Sequence, residues 1–484
     1  MYSPTLEEAR KLARYGNLIP VYTEIMADLE TPVSAFLKIA RGEYSFLFES
    51  VEGGEKLARY SFIGTDPALV LKTGPENPVD PLIGIEKEMA RFSLVANPNL
   101  PRFHGGLVGY LGYEVAGYFE NIGSPSLDQL GLPESVFMMA DALLIFDHLT
   151  HKIKVVAHIH SQGEIDRAYH KATEKIDSLV ERLEKPVRCQ YLSPSSSEPL
   201  PSSQKSNFTP EEFMRSVDRA KEYIYAGDII QVVLSQRLAR PTEIEPFTLY
   251  RTLRSINPSP YMYYLSTGDC VIVGASPELL VRVEDGLVSN HPIAGTRKRG
   301  KDDVEDRELA EDLKSDEKEC AEHIMLVDLG RNDVGRVSKP GTVRATQLMD
   351  IERYSHVMHL VSHIDGELRD DMSQYDALRA CFPAGTVTGA PKIRAMEIIA
   401  ELEKSKRGPY AGAIGYFGFS GSMDTAINIR TSIFKDGVAY TQAGAGIVAD
   451  SQPELEYQES LNKAQALISA IERAERAVNA DTDR

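Results

Sequence analysis

The stretch AGAIGYFGFSGSMDTAINIRTSIFKDGVAYTQA, residues 411–443, indicates the fold class because it contains three strand-like runs in close succession. The runs 411–419, 425–434 and 438–443 contain many β-branched and aromatic residues, and short turns with glycine or aspartate separate them. Strands joined by such short turns pair antiparallel. We therefore expect an antiparallel sheet in this part of the chain.

Further strand-like runs and helical segments alternate in groups along the chain. The strand-like runs that precede this stretch are 229–238, 261–265, 270–274 and 279–283, and helices are predicted near 303–335, 391–404 and 453–477. Near the start of the chain the predicted helices are 5–15, 31–41 and 164–184, and the predicted strands are 44–50, 58–63 and 138–158. Groups of strands with helices between the groups are typical of an α+β fold.

A segment rich in serine and proline, residues 191–206, divides the chain into two parts. We predict an N-terminal domain at 1–190, a linker at 191–206 and a second domain at 207–484. The second part begins with the capping box Thr209-Pro-Glu-Glu212, which predicts a helix start.

Composition and charge exclude several classes of protein. The 484 residues are 42% hydrophobic and 26% charged, which is typical of a soluble globular protein with more than one ordinary core. The formal net charge of −18 argues against general nucleic-acid binding. No run approaches the roughly 18 apolar residues of a membrane span, and residues 1–10 lack an apolar signal core.

The cysteines predict neither disulfides nor a zinc site, because the four of them are far apart and none belongs to a C-x-x-C pair. They are Cys189, Cys270, Cys320 and Cys381. This usage fits a reducing compartment, and we expect a cytoplasmic protein.

Two pairs of carboxylates predict a site for a hard cation. Glu319 and Glu322 are three residues apart in a segment of helical composition, and so are Glu456 and Glu459. Residues three apart share a helix face, so two acidic ridges result. If the fold brings them together, their oxygens suit Mg²⁺ completed by water and an anionic substrate. Solvated helix faces are the alternative.

A glycine-rich loop at residues 295–302 nearly matches the phosphate loop of nucleotide-binding proteins. Asp302 replaces the hydroxyl residue that follows the lysine in that motif, and its charge would repel phosphates. We therefore expect no nucleotide site there.

Other elements could bind an anion. The two glycines of Ala443-Gly-Ala-Gly446 let backbone N–H groups approach a ligand. Residues 386–392 begin a helix whose N-terminus favours negative charge. Strand alternation predicts Asn428 and Arg430 on one face. His359 is a candidate general base, although a buried structural histidine is the commoner case.

Five motifs follow one another along the chain, namely Ser276-Pro-Glu-Leu279, Pro292-Ile-Ala-Gly-Thr-Arg297, Asp328-Leu-Gly-Arg-Asn-Asp333, Gly389-Ala-Pro-Lys392 and Ala443-Gly-Ala-Gly446. Together they resemble the chorismate-utilising enzymes, and within that family the large subunits of the anthranilate synthases, over nearly the whole chain. The resemblance implies two antiparallel sheets packed as a sandwich with helices on the outside. Residues 207–484 would then form the chorismate-binding catalytic domain.

Two positions separate the branches of this family. Members that add water to the ring carry a lysine where this chain has Gln231, and aminodeoxychorismate synthases carry one where it has Ala294. The resemblance therefore implies ammonia as the nucleophile and anthranilate and pyruvate as the products. The rival predictions are aminodeoxychorismate synthase component I, a variant that stops at the aminated intermediate, and a non-catalytic subunit that binds chorismate or tryptophan.

The resemblance also implies roles for individual residues. Glu322 and Glu459 would hold Mg²⁺, while Glu278 would be the general acid and His359 would assist elimination of pyruvate. The implied substrate-binding residues are Gly295, Thr296, Tyr410, Arg430, Gly444, Ala445, Gly446 and Lys463.

A partner and an effector are implied in the same way. A glutamine amidotransferase subunit would supply ammonia, in a heterotetramer of two large and two small subunits. Tryptophan, the end product of the pathway that this reaction begins, would inhibit the enzyme at a separate site. The residues implied for that site are Glu49, Ser50, Pro260, Tyr261 and Met262.

Overall fold

Two large antiparallel sheets packed face to face form the body of the protein, with helices on their outer faces. The computed structural model describes residues 1–50, 59–161, 163–187, 204–354 and 357–482. Within those residues, one sheet has twelve strands and the other has ten. The predicted α+β sandwich is confirmed. No helix in these ranges is both long and apolar enough to span a bilayer.

The described residues contain eleven α-helices and two 3-10 helices. The α-helices are α1 Leu6–Leu12, α2 Pro32–Ile39, α3 Pro81–Met89, α4 Ile165–Leu183, α5 Pro210–Tyr225, α6 Pro246–Ile256, α7 Asp303–Ser315, α8 Glu317–Gly335, α9 Gln374–Cys381, α10 Lys392–Leu402 and α11 Pro453–Thr482. The 3-10 helices are Tyr113–Tyr118 and Gly385–Val387.

The strands are numbered in chain order. They are β1 Leu18–Met26, β2 Tyr44–Glu49, β3 Tyr60–Thr65, β4 Val70–Thr73, β5 Gly106–Leu111, β6 Ser135–Ala140, β7 Ala142–Asp147, β8 Lys152–His160, β9 Lys205–Ser206, β10 Gln231–Pro241, β11 Tyr261–Thr267, β12 Val271–Ser276, β13 Leu279–Glu284, β14 Leu287–Asn290, β15 Ile293–Lys298, β16 Arg344–Arg353, β17 Val357–Glu367, β18 Gly389–Ala390, β19 Ala413–Gly418, β20 Met423–Ile427, β21 Thr431–Lys435 and β22 Val438–Ile447.

Each sheet combines strands from both parts of the chain. The larger sheet has the order β1-β8-β7-β3-β2-β11-β12-β21-β22-β10-β18, with β9 paired to β10. The smaller has the order β15-β17-β14-β13-β20-β19-β5-β6-β4, with β16 paired to β17. The pairs β2–β11 and β5–β19 join residues that precede and follow the predicted linker.

The division into domains at 1–190 and 207–484 stays a prediction. Cys189 and residues 191–203 of the predicted linker lie outside the described residues. The last two residues of that segment form β9, which pairs with β10 at Leu238 and Ala239.

Apolar side chains from both sheets meet in the layer between them. Phe46 and Ile272 of the larger sheet belong to one buried cluster with Val108 and Ile414 of the smaller sheet. Helices α2, α4, α6 and α11 contribute to a second cluster on the outer face of the larger sheet. Burial of both faces of a sheet explains why its strands contain long apolar runs rather than strict alternation.

The predicted helix at 303–335 is divided into α7 and α8 at Asp316. The Asp316 carboxylate accepts hydrogen bonds from the backbone N–H groups of Lys318 and Glu319, each at 3.1 Å. Aspartate is a favoured N-cap residue because it satisfies these free amides. The capping box predicted at Thr209 is present at the start of α5.

Candidate active site

A cavity of about 840 Å³ lies beside the corner where the chain crosses between the two sheets. It is lined by most of the residues predicted from the sequence, namely Glu278, Gly295, Thr296, Glu322, His359, Tyr410, Arg430, Gly444, Gly446, Glu459 and Lys463. Ala445 differs, because its side chain is fully buried in the apolar core. Residues separated by almost two hundred positions therefore meet in one place.

Two crossings of the chain between the sheets form this corner. The chain leaves the larger sheet after β12 and enters the smaller one at β13, and it returns between β20 and β21. The Ser276 hydroxyl donates to the Ile427 carbonyl at 2.7 Å, and the Ile427 N–H donates to the Glu278 carbonyl at 3.1 Å. These bonds hold the two crossings together and fix the backbone of Glu278.

Glu278 carries a buried carboxyl group at this corner. Burial raises the pKa of Glu278 to about 8, and the neighbouring Thr386 hydroxyl opposes that rise. Desolvation disfavours the charged form of a carboxyl group. Glu278 therefore holds a proton at neutral pH, which is the form that a general acid requires.

Arg430 lies in the turn between β20 and β21, with a left-handed backbone conformation at φ 52°. The prediction that strand alternation places Asn428 and Arg430 on one face is wrong, because the chain bends between the sheets here. Asn428 is fully buried and accepts from the Tyr263 hydroxyl at 3.1 Å. The Arg430 guanidinium lines the cavity and donates to the Lys463 carbonyl at 2.7 Å.

His359 on β17 also lines the cavity. Its Nδ1 lies 2.9 Å from the Gly295 carbonyl and 3.0 Å from the Thr296 hydroxyl. A carbonyl only accepts, so Nδ1 carries the proton and Nε2 presents the lone pair of the neutral ring. Burial lowers the pKa of His359, although the bond to Gly295 opposes this. His359 is therefore neutral at physiological pH and able to accept a proton.

Gly295 has a left-handed backbone, at φ 63°, that brings its carbonyl to His359. A Cβ at this position would lie 2.9 Å from the Leu313 Cδ1 atom and 3.1 Å from a Glu319 carboxylate oxygen. Both the conformation and the lack of space require glycine here.

The four predicted carboxylates line the same cavity. Glu319 and Glu322 lie on α8, and Glu456 and Glu459 lie on α11. Burial, followed by repulsion from Glu322, raises the pKa of Glu319. Burial and repulsion from Glu459 likewise raise the pKa of Glu456, against an opposing hydrogen bond. The two acidic ridges thus converge, and their negative charge is incompletely balanced.

The donor set fits a magnesium ion. Carboxylate oxygens are the ligands that Mg²⁺ prefers, and one or two of them suffice when water and substrate complete the shell. The partners present are compatible with this, since the Gln231 amide donates to Glu322 at 3.2 Å and Lys463 pairs with Glu459 at 2.6 Å. Within the described residues, no three histidine, cysteine or acidic side chains are grouped closely enough to hold a metal alone.

The Gly444–Gly446 segment lies inside β22, not after a strand as the sequence indicated. It pairs with β10 on one side, where Gly446 faces Val233. On the other side, the pairing of β21 with β22 ends at Thr441. This edge of β22 therefore extends beyond its neighbour beside the cavity, where Lys463 donates to the Gly444 carbonyl at 3.2 Å.

Comparison with known proteins shows the family to which the chain belongs. The family described as chorismate binding enzyme matches residues 43–469. The chain belongs to this family. Among its relatives, anthranilate synthase component 1 of Acetivibrio thermocellus is 52% identical, with 98% of this chain and 99% of that protein covered. The protein of the same name from Aquifex aeolicus (strain VF5) is 50% identical, with 97% and 98% covered.

Solved structures share the fold. Anthranilate synthase component I from Streptococcus pneumoniae TIGR4 matches with a TM-score of 0.77 at 39% identity, covering 92% of this chain and 98% of that one. The menaquinone-specific isochorismate synthase from Escherichia coli matches with a TM-score of 0.72 at 19% identity, covering 96% and 98%, and this likeness shows the fold alone. The predicted resemblance is confirmed.

The two positions that the resemblance implies for separating branches of the family both line the cavity. Gln231 at the start of β10 and Ala294 on β15 line it. A Cβ on Gly446 would lie 2.5 Å from the Gln231 Nε2 atom, so glycine makes room for that amide. Neither side chain can act as a basic nucleophile.

Two motifs of the resemblance are joined to each other by an ion pair outside the cavity lining. Lys392, from the Gly-Ala-Pro-Lys motif, donates to the Asp333 carboxylate at 2.7 Å, and both side chains are less than 10% exposed. Asp333 ends the Asp-Leu-Gly-Arg-Asn-Asp motif on α8. This ion pair joins the start of α10 to α8, which carries Glu319 and Glu322.

The sequence reasoning missed some residues of the cavity. Gln442 on β22 and Lys318 on α8 line it without having been predicted. Gln442 directly precedes the Ala443–Gly446 motif, and Lys318 directly precedes Glu319. Their position next to those motifs was the available signal. For a single polar residue in a strand or helix, however, the sequence does not show which way the side chain points until the neighbouring elements are known.

A second cavity, of about 1080 Å³, contains the residues predicted for the effector. Glu49, Ser50, Pro260, Tyr261 and Met262 all line it. They come together because β2 pairs with β11, with Glu49 opposite Met262.

Glu49 in this second cavity has cationic and hydroxyl partners. Its buried carboxylate accepts from Arg254 at 2.9 and 3.1 Å and from the Tyr250 hydroxyl. These donors hold the Glu49 side chain in one orientation.

Proposed function

We propose that this chorismate-binding enzyme converts chorismate and ammonia to anthranilate, pyruvate and water, the first step of tryptophan biosynthesis. The convergence of Glu278, His359, Glu322 and Glu459 on one cavity is the observation that supports this most. The names of relatives at about half identity agree with it. Gln231 and Ala294 in the cavity wall disfavour the lysine-dependent branches.

Charge complementarity supports the mode of substrate binding. The Arg430 guanidinium, with its fork of donors, suits a carboxylate of chorismate. Thr296, Tyr410 and the free edge of Gly444–Gly446 offer hydrogen bonds to the remaining oxygens. Glu322 and Glu459 would hold Mg²⁺, which supplies charge neutralisation at the ring carboxylate.

Two proton transfers would complete the reaction. In the first, ammonia forms a C–N bond while the ring C–O bond of the hydroxyl breaks, and Glu278 gives its proton to the departing oxygen as water forms. The new ammonium group then loses one proton to become the amine. In the second, His359 Nε2 takes a ring proton. The electron pair of the broken C–H bond makes the ring aromatic while the bond between the ring carbon and the enolpyruvyl oxygen breaks. The enolate that leaves takes up a proton and becomes pyruvate.

The proposed function includes a source of ammonia and an oligomeric state. A glutamine amidotransferase subunit would bind this chain and deliver ammonia, in a heterotetramer of two large and two small subunits. The name component 1, which the relatives carry, supports the existence of a second component.

The proposed reaction predicts that the purified chain alone forms anthranilate when given chorismate, Mg²⁺ and ammonium salt. Anthranilate fluorescence and enzymatic pyruvate determination would measure the two products, which are expected in equal amounts. The absence of both, or release of aminodeoxychorismate in place of anthranilate, would refute the proposed function.

The pKa of Glu278 predicts an alkaline limit of activity. A general acid is active when protonated, so kcat/KM for chorismate should stay constant through neutral pH and fall above about pH 8. The fall should approach about tenfold per pH unit, since each unit removes the protonated form tenfold. The measurement requires a constant concentration of free ammonia. Undiminished kcat/KM at pH 9.5 would contradict this assignment.

We also propose that tryptophan binds the second cavity and inhibits the enzyme. Glu49 would pair with the ammonium group of the effector, so Glu49→Gln is expected to raise the tryptophan concentration for half inhibition by about tenfold or more. The kcat without tryptophan should not change. Inhibition curves of both proteins would test this, with Glu24→Gln, on the distant strand β1, as the control. Equal curves for Glu49→Gln and the unchanged chain would exclude the role.

A further inference from the structure

A buried arginine lies directly behind the wall of the chorismate-binding cavity. Arg407 is only 1% exposed and is among the largest fully buried side chains. It does not line the cavity itself. It contacts three residues that do, namely Val233, Val387 and Tyr410.

The guanidinium of Arg407 joins separate elements of that wall. It donates to the Val387 carbonyl at 2.7 Å through Nη1 and to the Val233 carbonyl at 2.8 Å through Nη2. Its central carbon lies 5.7 Å from the Tyr410 ring centroid and 4.6 Å from that of Tyr113. The turn at 385–387, strand β10 and Tyr410 are therefore held by one rigid, planar group.

Glu403 connects Arg407 to a fourth residue of the cavity wall, Gln442, through Ser235. Its carboxylate accepts from Arg407 Nε at 2.9 Å and Nη2 at 2.6 Å. The same carboxylate accepts from the Ser235 N–H and hydroxyl, each at 2.8 Å. The Gln442 amide, which lines the cavity, donates to the Ser235 hydroxyl at 2.8 Å.

The backbone on which Arg407 lies is also held. Glu114 accepts from the N–H groups of Arg407 at 2.7 Å and Gly408 at 3.0 Å. These residues lie three and two positions before Tyr410. A buried ion pair is weak evidence for stability, because apolar residues of similar volume often replace such pairs without loss. Three of the five residues that the guanidinium contacts, Val233, Val387 and Tyr410, line the cavity, whereas Glu403 and Tyr113 do not.

We propose that Arg407 is a positioning residue for chorismate, which acts by fixing Tyr410 at the distance that the substrate needs. This inference depends on the proposed function, since it names chorismate as the ligand. Arg407 touches no substrate atom itself. Its planar fork satisfies two carbonyls and a carboxylate at once, which a lysine ammonium does not reproduce in the same geometry.

The test compares Arg407→Lys in the full chain with the same change made together with Tyr410→Phe. Lysine keeps the charge and loses the fork, so the KM for chorismate should rise about tenfold with a smaller change of kcat. If Arg407 acts through Tyr410, the rise in KM should be less than about threefold in the Tyr410→Phe background, because coupled residues are not additive. Binding of chorismate by titration calorimetry gives a second readout.

Arg240→Lys is the matched control. Arg240 is also a buried arginine, 6% exposed at its side chain, and pairs with Glu472 and Glu475 away from the cavity. It should leave the KM unchanged. If Arg407→Lys does not fold, as judged by circular dichroism, Glu403→Gln takes its place with the same expected pattern.

An unchanged KM, or an equal rise in both backgrounds, would overturn the positioning role. Failure of the unchanged chain to turn over chorismate would instead refute the proposed function, so the two failures are distinguishable.

Discussion

Glu278→Gln is expected to lower the kcat of anthranilate formation by about 10²- to 10⁴-fold, the range of a lost general acid. Glutamine keeps the size and most of the hydrogen-bonding capacity of the protonated side chain, but its amide gives no proton to the departing oxygen. Because Glu278 is buried and neutral in our assignment, the substitution should preserve folding and chorismate binding. Steady-state kinetics with ammonium and calorimetric titration with chorismate would measure the two effects separately.

Glu367→Gln is a suitable control for this substitution, since Glu367 is exposed at the end of β17. It should retain full activity. Full activity of Glu278→Gln itself would contradict the role of general acid. Loss of both turnover and chorismate binding would show that Glu278 holds the substrate rather than donating a proton.

Removal of the metal is the second change that is expected to have a large effect on turnover. Chelation should abolish turnover, and added Mg²⁺ should restore it, because in the proposed site Mg²⁺ would complete the binding of an anionic substrate. Glu322→Gln and Glu459→Gln should each raise the Mg²⁺ concentration for half-maximal rate by about tenfold or more, since each would remove a charged ligand of the proposed site. Titration of the rate with Mg²⁺ would measure this shift.

Controls from the same helices are available. Glu317 on α8 and Glu454 on α11 are exposed and do not line the cavity. Their replacement by glutamine should leave the Mg²⁺ dependence unchanged. A fully active enzyme in excess chelator would contradict the metal site. An equal shift in the control variants would attribute the effect to overall charge instead.

The local features of the site could be predicted from the sequence. The spacing of Glu319 and Glu322 predicts one helix face, and both residues face the cavity from α8. The same holds for Glu456 and Glu459 on α11. Helical periodicity depends on neighbours three or four residues away, so a single sequence contains it.

The strand at the edge of the smaller sheet was not predicted. Strand β16 consists mostly of exposed, polar residues, and among the described residues it pairs only with β17. Its pattern lacks the apolar alternation that indicates a strand, because only Met349 and Ile351 pack against a small buried cluster. The partner strand decides its conformation, and strand propensity depends on that context.

The sequence by itself determined the α+β class, the family and the residue types of the site, because periodic patterns and motifs depend only on residues that are close together in the chain. Only the tertiary structure decided where Arg430 and Arg407 lie. The left-handed turn at Arg430 arises where the chain crosses between sheets, and the burial of Arg407 depends on carbonyls of Val233 and Val387. Contacts between elements so distant in sequence follow from strand pairing and packing, which no local pattern specifies.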